Sequence, residues 1–526
     1  MFTFDRSTVL LLGALILLAI LAATFIQITT AAPDPAVVGK WSKVKSWPVK
    51  SVHTSLLPDG KVIMWPSNAG DNPYIWNPKN DEIRRTDKAG YNLFCAGLST
   101  MGDGKLFVAG GHIVTPKGLK AASIFDPVTK DWTRIPDMNA GRWYPTVTQL
   151  ANGDMLVTSG NTETGVVNPI PQVYDIQSNS WRTLTGANLA VSLYPWMYDL
   201  GGGRVFMAGS RGASRFLDIS GKGSWSSPIE MKSGSRGSGT SVMYEYGKVL
   251  NIGGRTASGA PSTNTAETIN LNSASPSWKY AASMKEPRQH ANATLLPNGT
   301  VLVTGGSKGL KQGEFDDETS PVFLTEWWNP NSNTWKSLAP SNGVYRGYHS
   351  IALLLPDGRI LVAGGEKTAN SYEIYSPPYL FQGTRPEITS APDKVGYGKS
   401  FDVKTTQKNK IAYFRMIRLG SVTHSFNQGQ RYEELRFKKV KDKKGTITKF
   451  KVDIPSDRGH MPPGYYMLFA VNNKNVPSEA KIIKVGGVEV TLPTTAKMQS
   501  EALEPIPAYN SKEDPIHDHA AHGNFE

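Results

Sequence analysis

A hairpin-like pattern recurs seven times between Val52 and Gly365 of this 526-residue chain. Each unit consists of an apolar strand, a turn that contains glycine, a second apolar strand and usually a Gly-Gly pair. Glycine suits such turns because it tolerates positive backbone φ angles. The turn glycines are Gly60, Gly104, Gly153, Gly203, Gly247, Gly299 and Gly358, at successive spacings of 44, 49, 50, 44, 52 and 59 residues. Spacings of this size are typical of propeller blades, so the repeat predicts a seven-bladed β-propeller.

The ends of the repeat predict how the ring closes. Most hairpins are followed by a short strand and a turn that ends at a tryptophan, so each unit supplies four strands. The last unit ends at SYEIYSPPYL without such a strand, and the segment WSKVKSWP at residues 41–48 resembles the missing one. We expect it to pair with residues 372–375, because a closed ring has no exposed strand edges. The propeller is thus predicted over residues 41–383.

The blade pattern stops after Pro386, and alternating strands and turns follow it. They predict an Ig-like β-sandwich over residues 384–487, so the predicted fold class is all-β. Residues 488–526 lack apolar periodicity, which predicts a flexible tail. The tail carries three histidines that could scavenge a metal, although a solvated tail is the favoured interpretation: His517, His519 and His522.

Residues 1–32 form an export or anchor segment by their composition. Arg6 precedes an apolar stretch over residues 9–26, which is long for a cleaved signal and just long enough to span a bilayer as a helix. Small residues at Ala31 and Ala32 would permit cleavage. Signal peptide and membrane anchor both remain open, and either places the body of the protein outside the cytoplasm.

The charge distribution bears on nucleic-acid binding, and the cysteine content bears on disulfide bonding. The net charge is +13, but the lysine-rich run FKKVKDKK at residues 437–444 alternates as a solvated strand would, and no stacking-aromatic motif accompanies it. We therefore expect no nucleic-acid partner. The single cysteine, Cys95, excludes a disulfide framework, and an unpaired thiol in an exported chain needs an explanation.

The repeat also predicts where a site would lie. Equivalent positions in a propeller sit at equivalent heights along the central axis, and strand parity fixes which of them face it. Nine residues before each turn glycine stands one layer of residues, at one mouth of the channel: Ser51, Cys95, Tyr144, Tyr194, Ser238, His290 and His349. Cys95 and Tyr144 come from neighbouring blades, so either a covalent thioether or simple packing of a buried thiol is possible. Tyr348 and His349 could ligate a metal that prefers nitrogen and oxygen.

Five longer motifs resemble those of the copper radical oxidases, the family of galactose oxidase and the glyoxal-oxidase-like proteins. In chain order they are YNLFCAG at 91–97, GRWYPTVTQLANGDMLVTSG at 141–160, YRGYHSIALLLPDGR at 345–359, VTHSFNQGQR at 422–431 and PPGYYMLFAVNNKNVPS at 462–478. The resemblance runs from about Trp41 to Val485. It implies one copper ion bound by Tyr144, Tyr348, His349 and, from a sandwich hairpin reaching into the channel, His424.

The resemblance further implies that Cys95 and Tyr144 are joined by a thioether into a redox-active phenol. Tyr348 would act as the axial ligand and proton acceptor, and the Tyr144 radical would take a hydrogen atom from the substrate carbon. Copper and the modified tyrosine each hold one oxidising equivalent, so no dissociable organic cofactor is needed. Dioxygen would reoxidise the site and leave as hydrogen peroxide.

The chain departs from galactose oxidase at two places. Galactose oxidase carries a tryptophan that stacks on the modified tyrosine just beyond the Gly-Gly, where this chain has Thr162 and Glu163. Trp143, Trp196 and Tyr194 are the candidates to replace it. The sugar-binding module that precedes the propeller in galactose oxidase is also missing, so galactose is not implied as the substrate.

The function predicted is that of an extracytoplasmic copper radical oxidase, with a small aldehyde, alcohol or glycan as substrate and dioxygen as acceptor. The alternative is a non-catalytic propeller that binds envelope polysaccharide or protein through its loops. An oxidase with an external nucleotide cofactor lacks support, because no GxGxxG follows a strand and opens a helix.

Overall fold

The computed structural model describes residues 32–67, 70–310, 316–366 and 370–487. The apolar segment at 9–26 and the histidine-bearing tail both lie outside the described residues. The chain divides into two units, Met1–Asp34 and Pro35–Glu526, and the fold below is that of the second. Within the described residues, no helix has the length and apolar character needed to cross a bilayer.

In the described part of the chain, seven antiparallel sheets follow one another and form the predicted propeller. Every sheet begins with the first strand of a predicted hairpin, because the two apolar strands pair across the glycine turn. The strands of blades 1 to 3 are His53–Leu56, Val62–Trp65, Tyr74–Asn77 and Glu82–Arg85; Gly97–Thr100, Leu106–Ala109, Ala122–Phe125 and Trp132–Ile135; and Thr146–Gln149, Met155–Thr158, Gln172–Asp175 and Ser180–Thr183. A two-stranded ribbon, His112–Val114 with Lys117–Gly118, projects from blade 2.

Blades 4 to 6 repeat this arrangement, with one additional short strand in blade 4. Their strands are Met197–Asp199, Arg204–Met207, Ala213–Asp218, Ser224–Trp225 and Ile229–Glu230; Thr240–Glu245, Lys248–Ile252, Ala266–Asn270 and Lys279–Tyr280; and Asn292–Leu295, Val301–Thr304, Glu326–Asn329 and Thr334–Ser337. Buried side chains join neighbouring blades: Phe107 and Ala109 of blade 2 pack with Val147 and Met155 of blade 3.

Blade 7 is completed by the start of the propeller. Its later strands are Ser350–Leu354, Ile360–Gly364 and Ser371–Ser376, and its outer edge is formed by Lys40–Trp41 and Lys45–Ser46. Trp41 pairs with Tyr375, and Lys45 pairs with Tyr372, which is the pairing that the sequence predicts. One α-helical turn, Pro35–Val38, precedes these strands, and a 3₁₀ turn, Pro378–Phe381, follows the blade.

The C-terminal part is a sandwich of two sheets. One sheet contains, in spatial order, Ile388–Ser390, Ser400–Thr405, Ile447–Asp453 and Phe437–Lys441; the other contains Lys394–Val395, Lys481–Val485, Gly464–Asn472, Ile411–Arg418 and Tyr432–Leu435. A 3₁₀ turn, Lys408–Lys410, lies between two of these strands. The lysines of Phe437–Lys441 are exposed, as expected of a solvated strand.

One hairpin leaves the sandwich and enters the ring. Its strands, Ser421–Thr423 and Phe426–Asn427, extend the sheet of blade 1, where Thr423 pairs with His53 on the innermost strand. The residue after Thr423, His424, is thereby carried to the axis of the propeller. This insertion is the structural basis of the site.

The sandwich packs on the face of the ring that carries the hairpin turns. A Cβ at Gly104 would lie 2.7 Å from both Pro58 and the Tyr465 ring of the sandwich, so this turn needs glycine for the approach as well as for its φ of +96°. Gly201 approaches Gly459 in the same way. The layer predicted from the repeat therefore lies at the opposite end of the inner strands.

Candidate metal centre

Backbone contacts join successive members of the predicted layer around the ring. The Tyr144 N–H donates to the Cys95 carbonyl at 2.9 Å, and the Tyr194 N–H donates to the Tyr144 carbonyl at 2.8 Å. On the far side of the ring, the His290 N–H donates to the Ser238 carbonyl at 2.7 Å. The equivalent repeat positions thus occupy equivalent places at one mouth of the channel.

The layer shares an unusual backbone conformation. Six of its seven residues have φ between 43° and 66°, and His424 at the axis has φ of 46°: Cys95, Tyr144, Tyr194, Ser238, His290 and His349. Such left-handed conformations cost about 1–3 kcal/mol each in residues other than glycine. Such conformations persist only where surrounding contacts hold them, and here the backbone hydrogen bonds between neighbouring blades do so.

The five residues that the resemblance singles out are brought together. The Tyr144 and Tyr348 hydroxyls are hydrogen-bonded to each other. The rings of Tyr348 and His349 stack with centroids 3.8 Å apart, and those of His349 and His424 are 4.6 Å apart. The Tyr144 and His424 centroids lie 4.4 Å apart. Cys95 and Tyr144 belong to one buried apolar cluster.

Hydrogen bonds fix which nitrogen each imidazole presents. His349 Nδ1 is bonded to the Glu366 carboxylate, which cannot donate when ionised, so Nδ1 carries the proton. The single hydroxyl proton of Thr423 goes to the Val52 carbonyl at 3.1 Å, so Thr423 Oγ1 accepts from His424 Nδ1, 2.7 Å away. Both rings therefore keep Nε2 as a lone-pair nitrogen. Protein ligands to metals commonly hold their second nitrogen in this manner.

Burial is the main influence on the pKa values of the phenols. It raises the pKa of Tyr144 and of Tyr348 well above the usual value, and the nearby Cys95 adds to the effect. The pKa of Tyr194 is raised for the same two reasons. A bound cation opposes this effect by favouring phenolate. The phenols are therefore neutral unless a positive charge joins them.

Trp143 covers the Tyr144 ring. Their centroids are 3.7 Å apart with an interplanar angle of 10°, and the indole Nε1 donates to His112 Nδ1 at 3.1 Å. Trp143 also exchanges two 2.8 Å backbone hydrogen bonds with Asn161, in the stretch where galactose oxidase carries its stacking tryptophan. Of the three candidates, Trp143 has the closest and flattest stack; the Tyr194 ring stacks at 4.7 Å. Trp196 lines the adjacent cavity.

That cavity opens beside the phenols and has a volume of about 90 Å³. Its walls combine aromatic rings, among them Trp143, Trp196 and Tyr194, with serine residues and Arg211. His290 contributes an imidazole, whose centroid is 5.2 Å from that of Tyr348. The space suits a small, partly apolar molecule.

The donor set fits copper. Two phenols and two imidazoles with oriented Nε2 atoms are the oxygen and nitrogen donors that Cu(II) prefers. Within the described ranges, no group of three or more His, Cys, Asp or Glu side chains is arranged to hold a metal. Metal binding at this site therefore depends on the tyrosines.

Comparison with known proteins agrees with the geometry. Residues 385–485 match the galactose oxidase-like early set domain, residues 247–380 the glyoxal oxidase N-terminus, and residues 98–139 a kelch motif. Galactose oxidase of Gibberella zeae is 30% identical over 504 residues, which cover 86% of this chain and 71% of that protein. The chain belongs to the copper radical oxidase family.

Two further relatives place it within this family. The aldehyde oxidase GLOX of Vitis pseudoreticulata is 28% identical over 436 residues, covering 75% of this chain and 82% of that one. A fungal alcohol oxidase solved in complex with copper superposes with a TM-score of 0.75 at 27% identity, covering 85% of this chain and 100% of that structure. This chain is accordingly a copper-dependent radical oxidase.

Two residues that contact the site, His112 and Glu366, are not predicted from the sequence. His112 and Glu366 each stand directly after a Gly-Gly pair, at the end of the strand that returns to the site. Because this position recurs in the repeat, the repeat could have predicted that its side chain lies near the site. Thr423 was present in a recognised motif, but nothing in its spacing predicts that its hydroxyl orients His424.

Proposed function

We propose that the protein is an extracytoplasmic oxidase that converts a small aldehyde or primary alcohol with dioxygen, producing hydrogen peroxide. The single observation that carries the proposal is the convergence of Cys95, two phenols and two imidazoles in one cluster, in which every member except the half-buried His424 is buried. Those residues come from blades 2, 3 and 7 and from the inserted hairpin. The names of the relatives, a galactose oxidase, an aldehyde oxidase and an alcohol oxidase, support this reaction class.

Tyr144, Tyr348, His349 and His424 would hold one copper ion through two phenol oxygens and two Nε2 atoms. Cys95 would be joined to Tyr144 by a thioether, for which the contact between their blades is the support. Bound copper and the modified Tyr144 would each supply one oxidising equivalent, which together complete a two-electron oxidation.

Tyr348 is the residue placed to receive a proton. Its hydroxyl is hydrogen-bonded to that of Tyr144 and borders the cavity, so a substrate hydroxyl bound there would reach it. With the bound cation holding Tyr348 as a phenolate, its Oη would take the hydroxyl proton, and the oxidised Tyr144 would take a hydrogen atom from the adjacent substrate carbon. Dioxygen would then accept the two electrons and two protons and leave as hydrogen peroxide.

The aromatic wall would protect the oxidised Tyr144 and select the substrate. Trp143 covers one face of the phenol at 3.7 Å and would exclude water and reductants from it. A cavity of about 90 Å³ admits small substrates or one end of a larger one. An aldehyde would react as its hydrate, which offers a hydroxyl in the same place.

Export is part of the proposal and is supported by the sequence of residues 1–32, whether that segment is cleaved or remains as an anchor. Dioxygen chemistry outside the cytoplasm is also consistent with a chain that carries only one thiol.

The intact mass of the protein after copper loading in air tests the thioether. Formation of the bond removes two hydrogens, so the wild type is expected to lose about 2 Da and to produce peroxide from a small primary alcohol or aldehyde. Cys95→Ser should show neither change. Tyr174→Phe, which alters a buried tyrosine of blade 3 outside the cluster, should retain both.

A Cys95 that stays alkylatable after loading, together with no peroxide from any small alcohol or aldehyde, would contradict the proposal. That result would instead favour a propeller that binds its partners without catalysis.

A further inference from the structure

A second large cavity lies where blades 5 and 6 meet the sandwich. Its volume is about 860 Å³, and both parts of the protein line it. This cavity includes the hairpin turn of blade 6 at Gly299. The copper site lies at the opposite end of the inner strands, so the two cavities are separate. We call the second cavity the junction groove.

Aromatic rings form the walls of the junction groove. Four half-buried rings line it: Tyr244, Tyr246, Trp327 and Tyr413. His460 stacks on Tyr246 at 3.8 Å, and the Arg415 guanidinium lies 4.0 Å from the Tyr413 centroid. These contacts orient the two tyrosine rings and each covers one ring face, while Lys336 lies 5.5 Å from the Trp327 centroid. The remaining ring surface is the apolar part of the groove.

Short polar side chains stand between the rings. The groove is lined by six carboxamides, all half-buried or exposed: Asn272, Asn298, Asn329, Asn331, Gln382 and Asn475. A carboxamide both donates and accepts hydrogen bonds, as a sugar hydroxyl does. A pyranose ring has an apolar C–H face and a rim of hydroxyls, so rings alternating with amides match both of its surfaces.

The charges of the groove are paired. Glu434 accepts from Arg415 at 2.9 Å, Glu433 contacts His460 at 3.2 Å, and Glu245 contacts Lys248 at 2.8 Å. On a chain whose net charge is +13, this region has no unbalanced basic cluster to attract an anion. The occupant that fits is therefore neutral.

The floor of the groove is fixed before any ligand arrives. Arg415 donates to the Pro297 carbonyl at 3.1 Å, which ties the sandwich to the blade 6 turn. Tyr246 donates to the Leu200 carbonyl at 2.7 Å, and Asn272 donates to the Tyr246 carbonyl at 2.9 Å. A site ordered in advance loses less entropy on binding.

We propose that the junction groove binds a neutral oligosaccharide, independently of oxidation at the copper site. The proposal rests on the combination of aromatic walls, carboxamides and paired charges in a cavity of ligand size. It does not depend on which alcohol or aldehyde is oxidised. Its physical effect would be to hold the enzyme on a glycan surface.

Affinity electrophoresis of the copper-loaded full chain tests this. The gels contain one soluble neutral polysaccharide each, from a panel of hydroxyethyl cellulose, xyloglucan, galactomannan, laminarin and soluble starch, and run towards the cathode because the chain is basic. At least one should retard the wild type. Trp327→Ala should weaken that retardation at least tenfold, with unchanged peroxide production from a small alcohol.

Two variants at exposed positions separate a loss of glycan binding from a loss of folding. Asn331 is exposed, so Asn331→Ala should fold normally and still weaken retardation. Tyr280, which is 58% exposed in blade 5 and does not line the groove, supplies the matched control, and Tyr280→Ala should behave as wild type.

Three results would overturn the proposal. The first is that none of the five neutral polysaccharides retards the wild type. The second is that retardation persists in both Trp327→Ala and Asn331→Ala. The third is that a saturating small alcohol abolishes retardation, which would place glycan binding in the copper-site cavity. None of these depends on whether the chain is an active oxidase.

Discussion

Each imidazole of the site is oriented by a side chain that hydrogen-bonds to its Nδ1 atom. Glu366 follows the last Gly-Gly pair and holds His349, while Thr423 holds His424 through the hydroxyl that it shares with the Val52 carbonyl. Lys50 contacts the same Glu366 carboxylate at 3.3 Å. The orientation of the two imidazoles therefore depends on side chains outside the proposed set of metal ligands.

Glu366 should accordingly control copper affinity. Glu366→Ala removes the acceptor that keeps the proton on His349 Nδ1, so we expect the dissociation constant for Cu(II) to rise by about 10–100-fold. Glu366→Gln should be intermediate because its amide oxygen can still accept. Competition titration with a chelator measures this, and Glu82→Ala, at an exposed position of blade 1, is the matched control.

An unchanged dissociation constant in Glu366→Ala would show that the carboxylate does not orient His349.

At this scale the sequence predicted which residues meet, but not how their rings are oriented. The repeat places Cys95, Tyr144 and His349 in one layer, and the family resemblance adds Tyr348 and His424. The stack of Trp143 on Tyr144 could not be read from spacing, because adjacent residues of a regular strand point to opposite faces. The positive φ of Tyr144 removes that rule here.

At the scale of elements, the ring is held closed by two short strands that come from the start of the propeller. Lys40–Trp41 and Lys45–Ser46 are too short to be stable alone, so side-chain packing must hold them. Trp47, which follows them, is 6% exposed, stacks on Tyr372 at 4.4 Å and contacts Trp76. This cluster joins blade 7 to blade 1.

Trp47→Ala should therefore destabilise the whole propeller. Removing a buried indole costs about 3–5 kcal/mol, because the cavity that it leaves does not fully collapse. Chemical denaturation followed by tryptophan fluorescence and by circular dichroism measures the loss. Lys45→Ala, which removes an exposed ion pair with Asp81 and a cation–π contact with Tyr372 at 5.8 Å, should cost only about 1 kcal/mol.

Equal stabilities of Trp47→Ala and Lys45→Ala would mean that ring closure does not depend on this packing.

The pairing of residues 41–48 with the last blade could be predicted, because an incomplete blade at one end matched a spare strand at the other. The fate of residues 421–427 could not be predicted from periodicity, since their alternation suits either a sandwich strand or a blade strand. Only the resemblance suggested that they reach the channel. The strand pairing of Thr423 with His53 provides the physical reason.

At the scale of the whole molecule, one buried carboxyl between the propeller and the sandwich makes stability depend on pH. Asp199 is 2% exposed, and burial raises its pKa to about 6 although Arg431 opposes the shift. A carboxyl whose pKa is higher in the folded state favours folding when it is protonated. Its contribution is therefore fully present below the unfolded value, near 4, and is lost as the pH rises through 6.

Asp199→Asn should remove this dependence. Relative to the variant, the wild type should lose stability by up to about 3 kcal/mol between pH 4 and pH 7, from a shift of about two pKa units. The measurement is the difference in Tm between the two proteins at each pH, with Asp175→Asn, a half-buried carboxyl of blade 3 whose pKa is lowered by backbone hydrogen bonds, as the control.

A difference in Tm that stays constant from pH 4 to pH 7 would exclude Asp199 as the cause.

The insertion of the sandwich hairpin also sets the order in which the protein can mature. Thr423 bonds to Val52 across 371 residues, so a chain emerging from synthesis contains the strands of all seven blades before His424, the last of the proposed copper ligands, is made. Copper that arrived before then would meet an incomplete set of the proposed donors. If the proposed thioether forms only with the full set of donors, its presence would report that the last domain has been made and has docked.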